Sequence, residues 1–364
     1  MTSIPLFLDC DPGIDDAVAL GYLLCQPDVT ITGIAASGGN VSTAQVVKNT
    51  LGWLELSGRS DLPVHRGAEH PLAGASEYAE ETHGDTGAGY AQLPDVQLPT
   101  PPVPDGGGSP DNPADSPTDN PDGGAHLSAA QAWVDAAREH PGELIGVVTG
   151  PCTNLALALE LEPELPRLIR RLFIMGGAFN YRGNTRPTTE WNITYDPEAA
   201  ERVFEAFGEA AQGEDAHLPV IGPIEATESV ALTPQRLERI TSAQHDPGWG
   251  AFLRQLAEAL RFYFEFHEAD GHGYLAHIHD PYVLAAAVEW ARNSPVRPEP
   301  GIIPWAESAV APVGVELTGT LTRGETVADW LGRWNLPATA EIIRSIDAET
   351  FLDHLTASLM RGPR

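Results

Sequence analysis

The chain of 364 residues is long enough to bury a large core, either as one big α/β domain or as two smaller ones. Its formal net charge of −30 argues against nucleic acid or an anionic membrane as partner, and a hydrophobic share of 42% excludes wholesale disorder. Cys10, Cys25 and Cys152 are too few and too scattered for a disulfide framework or a zinc knuckle. The opening Met1-Thr2-Ser3-Ile4-Pro5 lacks the features of a signal peptide and no apolar run reaches spanning length, so a cytoplasmic protein with reduced thiols is expected.

In chain order, an apolar run over residues 4–8 predicts a strand and residues 16–25 a helix. Between them stands Asp9-Cys10-Asp11-Pro12-Gly13-Ile14-Asp15-Asp16, four aspartates where a strand ends, the chain turns and a helix begins. So much negative charge in one place is unfavourable unless something offsets it, and a hard divalent cation with oxygen ligands is the natural candidate. The plainer reading has Asp15 and Asp16 capping the helix and Asp9 and Asp11 in solvent.

A strand over 29–36 leads to Gly38-Gly39-Asn40 and a helix over 43–56. His83 follows in His83-Gly84-Asp85-Thr86-Gly87, a glycine-rich loop that could close over a ligand, although a surface histidine in a mobile loop explains it more simply. Residues 99–124 are almost wholly Pro, Gly, Asp, Ser and Asn, and read as a disordered insertion. Helix 127–140, strand 144–149, Thr149-Gly150-Pro151, helix 153–161, strand 172–175 and Gly176-Gly177 come next. The loop Gly183-Asn184 through Glu190-Trp191-Asn192 offers two amides and a carboxylate, groups suited to a polyhydroxylated ligand and equally to ordinary turns. Helix 197–207, strand 218–221, a long helix over 249–267 and another over 281–292 complete the pattern, with a hairpin expected within 301–321. Between the last two helices, His272, His277 and His279 crowd before Asp280; the lone His-x-His is a weak zinc signal, and His279 could serve as a proton donor. Asp280 before Pro281 also has the form of a helix start.

This alternation implies a mostly parallel central sheet flanked by helices, with ligands gathering outside the carboxyl ends of the strands. The glycine and aspartate motifs fall repeatedly at those ends.

The motifs resemble those of the calcium-dependent nucleoside hydrolases, the inosine-uridine preferring nucleoside N-ribohydrolases. The residues that carry the resemblance are Asp9 to Asp16, Gly38-Gly39-Asn40, Thr149-Gly150-Pro151-Cys152-Thr153-Asn154, Met175-Gly176-Gly177, Asn184, Glu190-Trp191-Asn192, Asp196-Pro197, His279-Asp280-Pro281 and Thr322-Arg323-Gly324. The resemblance implies a Rossmann-like nucleoside hydrolase fold, a single domain over residues 1–364, and a homodimer or homotetramer acting on a ribonucleoside. It implies Ca2+ held by Asp11, Asp16, Asp280 and the Thr149 carbonyl, with Asp11 as the base that takes a proton from a calcium-bound water. Asp15, Asn40, Met175, Asn184, Glu190 and Asn192 would line the ribose, and His279 would protonate the leaving base; His83, read from its own loop and not from the resemblance, stands beside them as a substrate-binding candidate. Trp191 stands where Phe is frequent, and residues 223–227 read Pro-Ile-Glu-Ala-Thr where Pro-Leu-Asp-Val-Thr is usual.

Two alternatives remain beside an active hydrolase of common nucleosides: a calcium and nucleoside binder without turnover, or a hydrolase of a modified riboside. A phosphotransferase of the haloacid-dehalogenase type would need a lysine beside the phosphate. Lys48, the one lysine in the sequence, falls in a helix body.

Overall fold

Residues Ile4–Cys10 form a strand, β1, in which all seven side chains are buried. Such a run is what a strand covered on both faces requires. A computed structural model describes residues 3–96, 126–213, 216–294 and 302–363. The strands after β1 are β2 (Val29–Ala36), β3 (Val64–Arg66), β4 (Leu144–Val148), β5 (Ile169–Met175), β6 (Val220–Gly222), β7 (Ala231–Leu232), β8 (Ala276–His277), β9 (Ala306–Ala311), β10 (Val313–Val315), β11 (Thr326–Ala328) and β12 (Ala340–Ile346). The helices are α1 (Ile14–Leu24), α2 (Thr43–Ser57), α3 (Glu80–His83), α4 (His126–Glu139), α5 (Thr153–Leu161), α6 (Leu165–Leu168), α7 (Trp191–Tyr195), α8 (Pro197–Ala210), α9 (Ile224–Thr227), α10 (Pro234–Thr241), α11 (Pro247–Ala269), α12 (Asp280–Asn293) and α13 (Ala348–Arg361).

Eight strands make one sheet in the order β3-β2-β1-β4-β5-β6-β12-β9. Every neighbouring pair is parallel except β12 with the edge strand β9. The chain leaves β1 toward β2 and β3, then crosses back to β4, so the strand order reverses beside β1. A crevice opens at the carboxyl ends where the order reverses, and there ligands bind in sheets of this kind. The fold thus places Asp9 and Asp11 at the one edge position that chain topology leaves open.

Two apolar layers cover the sheet. α1, α11, α12 and α13 enclose one, around Leu20, Trp53, Phe252, Tyr282 and Trp290. α4, α5 and α8 enclose the other, around Phe7, Trp133, Phe173's neighbours Leu172 and Ile174, and Phe204. α1 is buried along its whole length, packed against α11, α12 and α13.

The expected strands and helices are present, most with shifted ends. β1 runs on through Asp9 and Cys10, and β5 begins three residues before the expected 172, at Ile169. Arg170 and Arg171 concealed that first half. Arg171 is 1% exposed, pairs with Glu341 on β12, and stands 4.8 Å from the Trp290 ring centroid. The expected hairpin within 301–321 is corrected. β9 pairs with β12 and β10 pairs with β11, so the two strands of that segment face different partners. Residues 99–124, expected to be a disordered insertion, lie outside the described residues.

Removing one partner from a buried ion pair strands the other charge, at a cost of about 3–5 kcal/mol. Arg171→Ala should therefore lower unfolding free energy by that amount, read from urea denaturation followed by tryptophan fluorescence, while a change below about 1 kcal/mol would show the pair to be dispensable.

Candidate active site

The floor of the crevice is a hydrogen-bond network around Asp9. Its Oδ1 accepts from Ser37 Oγ (2.5 Å) and Asn154 Nδ2 (3.0 Å), and its Oδ2 from Trp133 Nε1 (2.9 Å). Asn154 Oδ1 in turn accepts from the Ala68 backbone N–H at 2.8 Å. Asp9 is fully buried, not solvated as the plainer sequence reading had it, and burial pushes its carboxyl up to about 6 against those hydrogen bonds. The network ties β1 to the end of β2 and to the helices α4 and α5.

Above this floor the other three aspartates of the motif meet Asp280. Carboxylate oxygens of Asp15, Asp16 and Asp280 lie within 4.8 Å of one another, all buried. Asp16 Oδ2 accepts from the Gly13 N–H (3.0 Å) and its Oδ1 from Thr149 Oγ1 (2.8 Å), so it caps α1 and faces the cluster at once. Asp280 opens α12, one residue inside a cap formed by His279. Asp11 Oδ2 accepts from the Asn40 N–H at 2.8 Å, whereas Oδ1 is buried with no hydrogen-bond partner. Burial first, then Asp15, pushes the Asp16 carboxyl up to about 7. Burial with neighbouring charge likewise raises Asp11, beside Asp16, and Asp280, beside Asp15 and Asp16.

An all-oxygen donor set, mutually repelling and with one orphaned buried oxygen, fits a hard divalent cation. The tight group includes Asp15, which the resemblance assigned to the sugar; Asp11 and Thr149 line the same pocket. Gly39 is part of the cradle, since a Cβ there would stand 2.0 Å from Asp11 Oδ2.

The loop between β5 and α8 forms the next wall. Glu190 caps α7 through the N–H groups of Asn192 (2.9 Å) and Ile193 (3.3 Å), and its Oε2 also accepts from the Gly177 N–H (3.0 Å). Burial pushes its carboxyl up to about 7. Asn192 Nδ2 donates to the carbonyls of Thr149 (2.9 Å) and Met175 (3.2 Å), which fixes the amide between the ends of β4 and β5. Asn184, exposed at the rim, accepts from the Trp191 N–H at 3.0 Å. Turn chemistry and pocket lining, two readings of these residues, are here one arrangement.

Histidines form the opposite wall. His83 is the last residue of α3 and is 6% exposed, which corrects the surface-loop reading. Its Nδ1 accepts from the Ile14 N–H at 3.2 Å, and its ring lies 5.5 Å from that of Tyr263. His279 Nδ1 is 2.8 Å from Thr227 Oγ1, and its backbone N–H donates to Asp15 Oδ2 at 3.2 Å. Burial lowers the His279 pKa, opposed by Asp15 and Glu228. Asp11, Asp15, Asp16, Asn40, His83, Thr149, Met175, Asn184, Glu190, Asn192, His279 and Asp280 all line this one pocket. Tyr263, Phe266 and His267 line it too, and sequence reasoning passed over them inside the long apolar helix. Lys48 is exposed on α2, outside this pocket.

The inosine-uridine preferring nucleoside hydrolase family model matches residues 6–353. The chain belongs to that family. It is a nucleoside hydrolase, an N-glycosidase. The pyrimidine-specific ribonucleoside hydrolase RihA of Enterobacter sp. (strain 638) is 32% identical over 361 residues, covering 98% of each chain. The same-named protein of Klebsiella pneumoniae is 31% identical with the same coverage. Among solved structures, the plant nucleoside hydrolase PpNRh1 superposes with a TM-score of 0.77 at 27% identity, over 98% of this chain and 99% of that one. A purine-preferring ribonucleoside hydrolase from Gardnerella vaginalis follows at 0.76 and 26%, over 98% of both. The eight-strand sheet with helices on both faces is the fold of those structures. The pocket holds a buried aspartate group able to take a metal ion, and no helix among the described residues is long and apolar enough to cross a membrane.

The carboxylates raised by burial ionise at lower pH in the unfolded chain than in the folded one, so the metal-free fold loses stability as pH rises from about 4 to about 7 through Asp16. A bound divalent cation removes that loss. The increase in Tm on adding calcium to the chelated protein should therefore be larger at pH 7.5 than at pH 5, by differential scanning fluorimetry; an equal or reversed increment would contradict the cluster as the binding site. Gly39→Ala should shift Asp11 and lower kcat/KM by about a hundredfold or more, with an unchanged circular dichroism spectrum.

Proposed function

We propose that this chain releases free base and ribose from ribonucleosides with calcium held by Asp11, Asp16, Asp280 and the Thr149 carbonyl, Asp15 standing at the same cluster. The observation that carries this reading is the buried, unpartnered Oδ1 of Asp11 beside three crowded carboxylates. Calcium, when bound, would offset the cluster's charge, polarise the ribose hydroxyls and acidify a water.

The chain's own residues do the rest. Asp11 is fixed through Oδ2 by the Asn40 N–H, which holds its carboxylate in the pocket as the group that takes a proton from the attacking water. Cleavage of the ribosyl C–N bond builds positive charge on the sugar, and the anionic wall of Asp15, Asp16 and Asp280 is placed to stabilise it. Glu190 and Asn192, locked by backbone partners, orient the sugar without reorganising as charge develops. Met175 lines the pocket at the end of β5, between these groups. His279 is the donor to the departing base. Thr227 Oγ1 also contacts the Pro223 carbonyl (3.1 Å), an acceptor only, so the hydroxyl donates there and accepts from His279 Nδ1–H. That turns Nε2 toward the base, to which it passes a proton from the imidazolium form, a form that burial disfavours and the charges of Asp15 and Glu228 favour.

The sequence relatives named above act on pyrimidine nucleosides, which makes uridine and cytidine the first substrates to try. Free-base release from a mixture of inosine, adenosine, guanosine, uridine and cytidine should appear with calcium, vanish on chelation and return on calcium addition. Release that survives exhaustive chelation would overturn the calcium assignment. Asp11→Ala should lower kcat/KM by roughly a thousandfold, about 4 kcal/mol of barrier, and weaken calcium binding in titration calorimetry; near-normal turnover would remove Asp11 from the chemistry.

A further inference from the structure

The pocket has two chemically distinct halves. Carboxylates and amides line one, where the sugar belongs on the reading above. Beyond His279, the last turn of α11 and the strand β8 contribute histidines that this mechanism leaves unused. His267 and His277 have ring centroids 5.0 Å apart, and His272 stands 6.1 and 5.3 Å from them. His267 Nδ1 lies 2.8 Å from the carbonyl oxygen of Tyr263, one turn back on the same helix. A carbonyl only accepts, so the proton is on Nδ1 and Nε2 is a bare acceptor in the neutral ring. Burial keeps that ring neutral, pushing its pKa down to about 4. On β8, the Nδ1 of His277 is buried with no hydrogen-bond partner. A polar atom buried in a pocket wall without a partner is costly, and a bound ligand can supply the missing hydrogen bond.

We propose that His267 and His277 select the leaving base, with His267 Nε2 accepting an N–H from the edge of the base remote from the sugar. The inference rests on the ribonucleoside reading above. It names as preferred substrates nucleosides whose base carries an imide, lactam or exocyclic amine N–H on that edge. A site built to hydrogen-bond such a group rejects an analogue that lacks it, because the protein's polar atom is then left unpaired. His279 keeps its role at the glycosidic nitrogen, and the two neighbours read the rest of the ring.

The test compares the calcium-loaded protein on uridine against 3-methyluridine, inosine against 1-methylinosine, and 4-nitrophenyl riboside, whose leaving group has no N–H. For wild type, N-methylation should lower kcat/KM by at least about tenfold. In His267→Phe the parent nucleosides should fall to the level of their methylated forms, while 4-nitrophenyl riboside stays within about threefold of wild type. His267→Gln, which restores an acceptor oxygen, should recover part of the discrimination. His277→Leu should narrow the same ratio. Equal turnover of parent and methylated nucleosides by wild type would overturn the inference while leaving the hydrolase reading intact, and needs no variant to fold. An equal loss on 4-nitrophenyl riboside in His267→Phe would also overturn it, by showing a structural role. Turnover of no nucleoside at all would instead bring down the reading on which it rests.

Discussion

Like charges forced together out of water are the constraint around which this molecule is organised. Asp11, Asp15, Asp16 and Asp280 are buried at one point, and burial with neighbouring charge raises the energy of ionising Asp11, Asp16 and Asp280. A fold tolerates such a cluster only if surrounding structure fixes it. Here the reversal of strand order beside β1 opens the crevice, α1 and α12 begin there, and the backbone N–H groups of Gly13, Asn40 and His279 reach the carboxylates. Much of the sheet's regular pairing on either side serves to hold that unfavourable point still.

Around it, single side chains meet two demands at once. Asp16 caps a helix and joins the acidic group; Glu190 caps another and ties Gly177 to it; Asn192 bridges the ends of two strands while facing the pocket. The choice between a structural and a functional reading, posed residue by residue from sequence, dissolves at these positions. A carboxylate already committed to backbone donors cannot rotate away as substrate enters, which is the preorganisation that electrostatic stabilisation needs.

The aspartate motif, the glycine pairs and the alternation of strands and helices were legible because each leaves a local pattern: a turn, a cap, a period. What stayed hidden depended on partners distant in sequence. Arg171 looked unlike a strand residue because Glu341, 170 positions on, neutralises it inside the sheet. His83 read as a surface residue since nothing nearby in sequence announces its contact with the Ile14 N–H or the Tyr263 ring. The segment 301–321 has the composition of paired strands, but composition does not choose the partner, and β9 found β12 instead of β10. His267 was masked by the apolar helix that carries it. Thr227, in a stretch noted only as a drift from the family pattern, proves to touch His279.

The pocket's two halves are anchored very differently. Its floor, through Asp9, is bonded to Ser37, Trp133 and Asn154 and so to strands and helices on both sides of β1. Its mouth is the last turn of α11 and a two-residue strand paired only with another of two residues. A substitution in the floor is felt throughout the sheet; one at the mouth is felt by the ligand and little else. A scaffold divided in this way can exchange one leaving group for another across its history while the machinery that breaks the bond is inherited unchanged. Relatives named for different nucleosides, the pyrimidine-specific RihA of Enterobacter and the purine-preferring hydrolase of Gardnerella vaginalis, are what such a division of mechanical labour would produce.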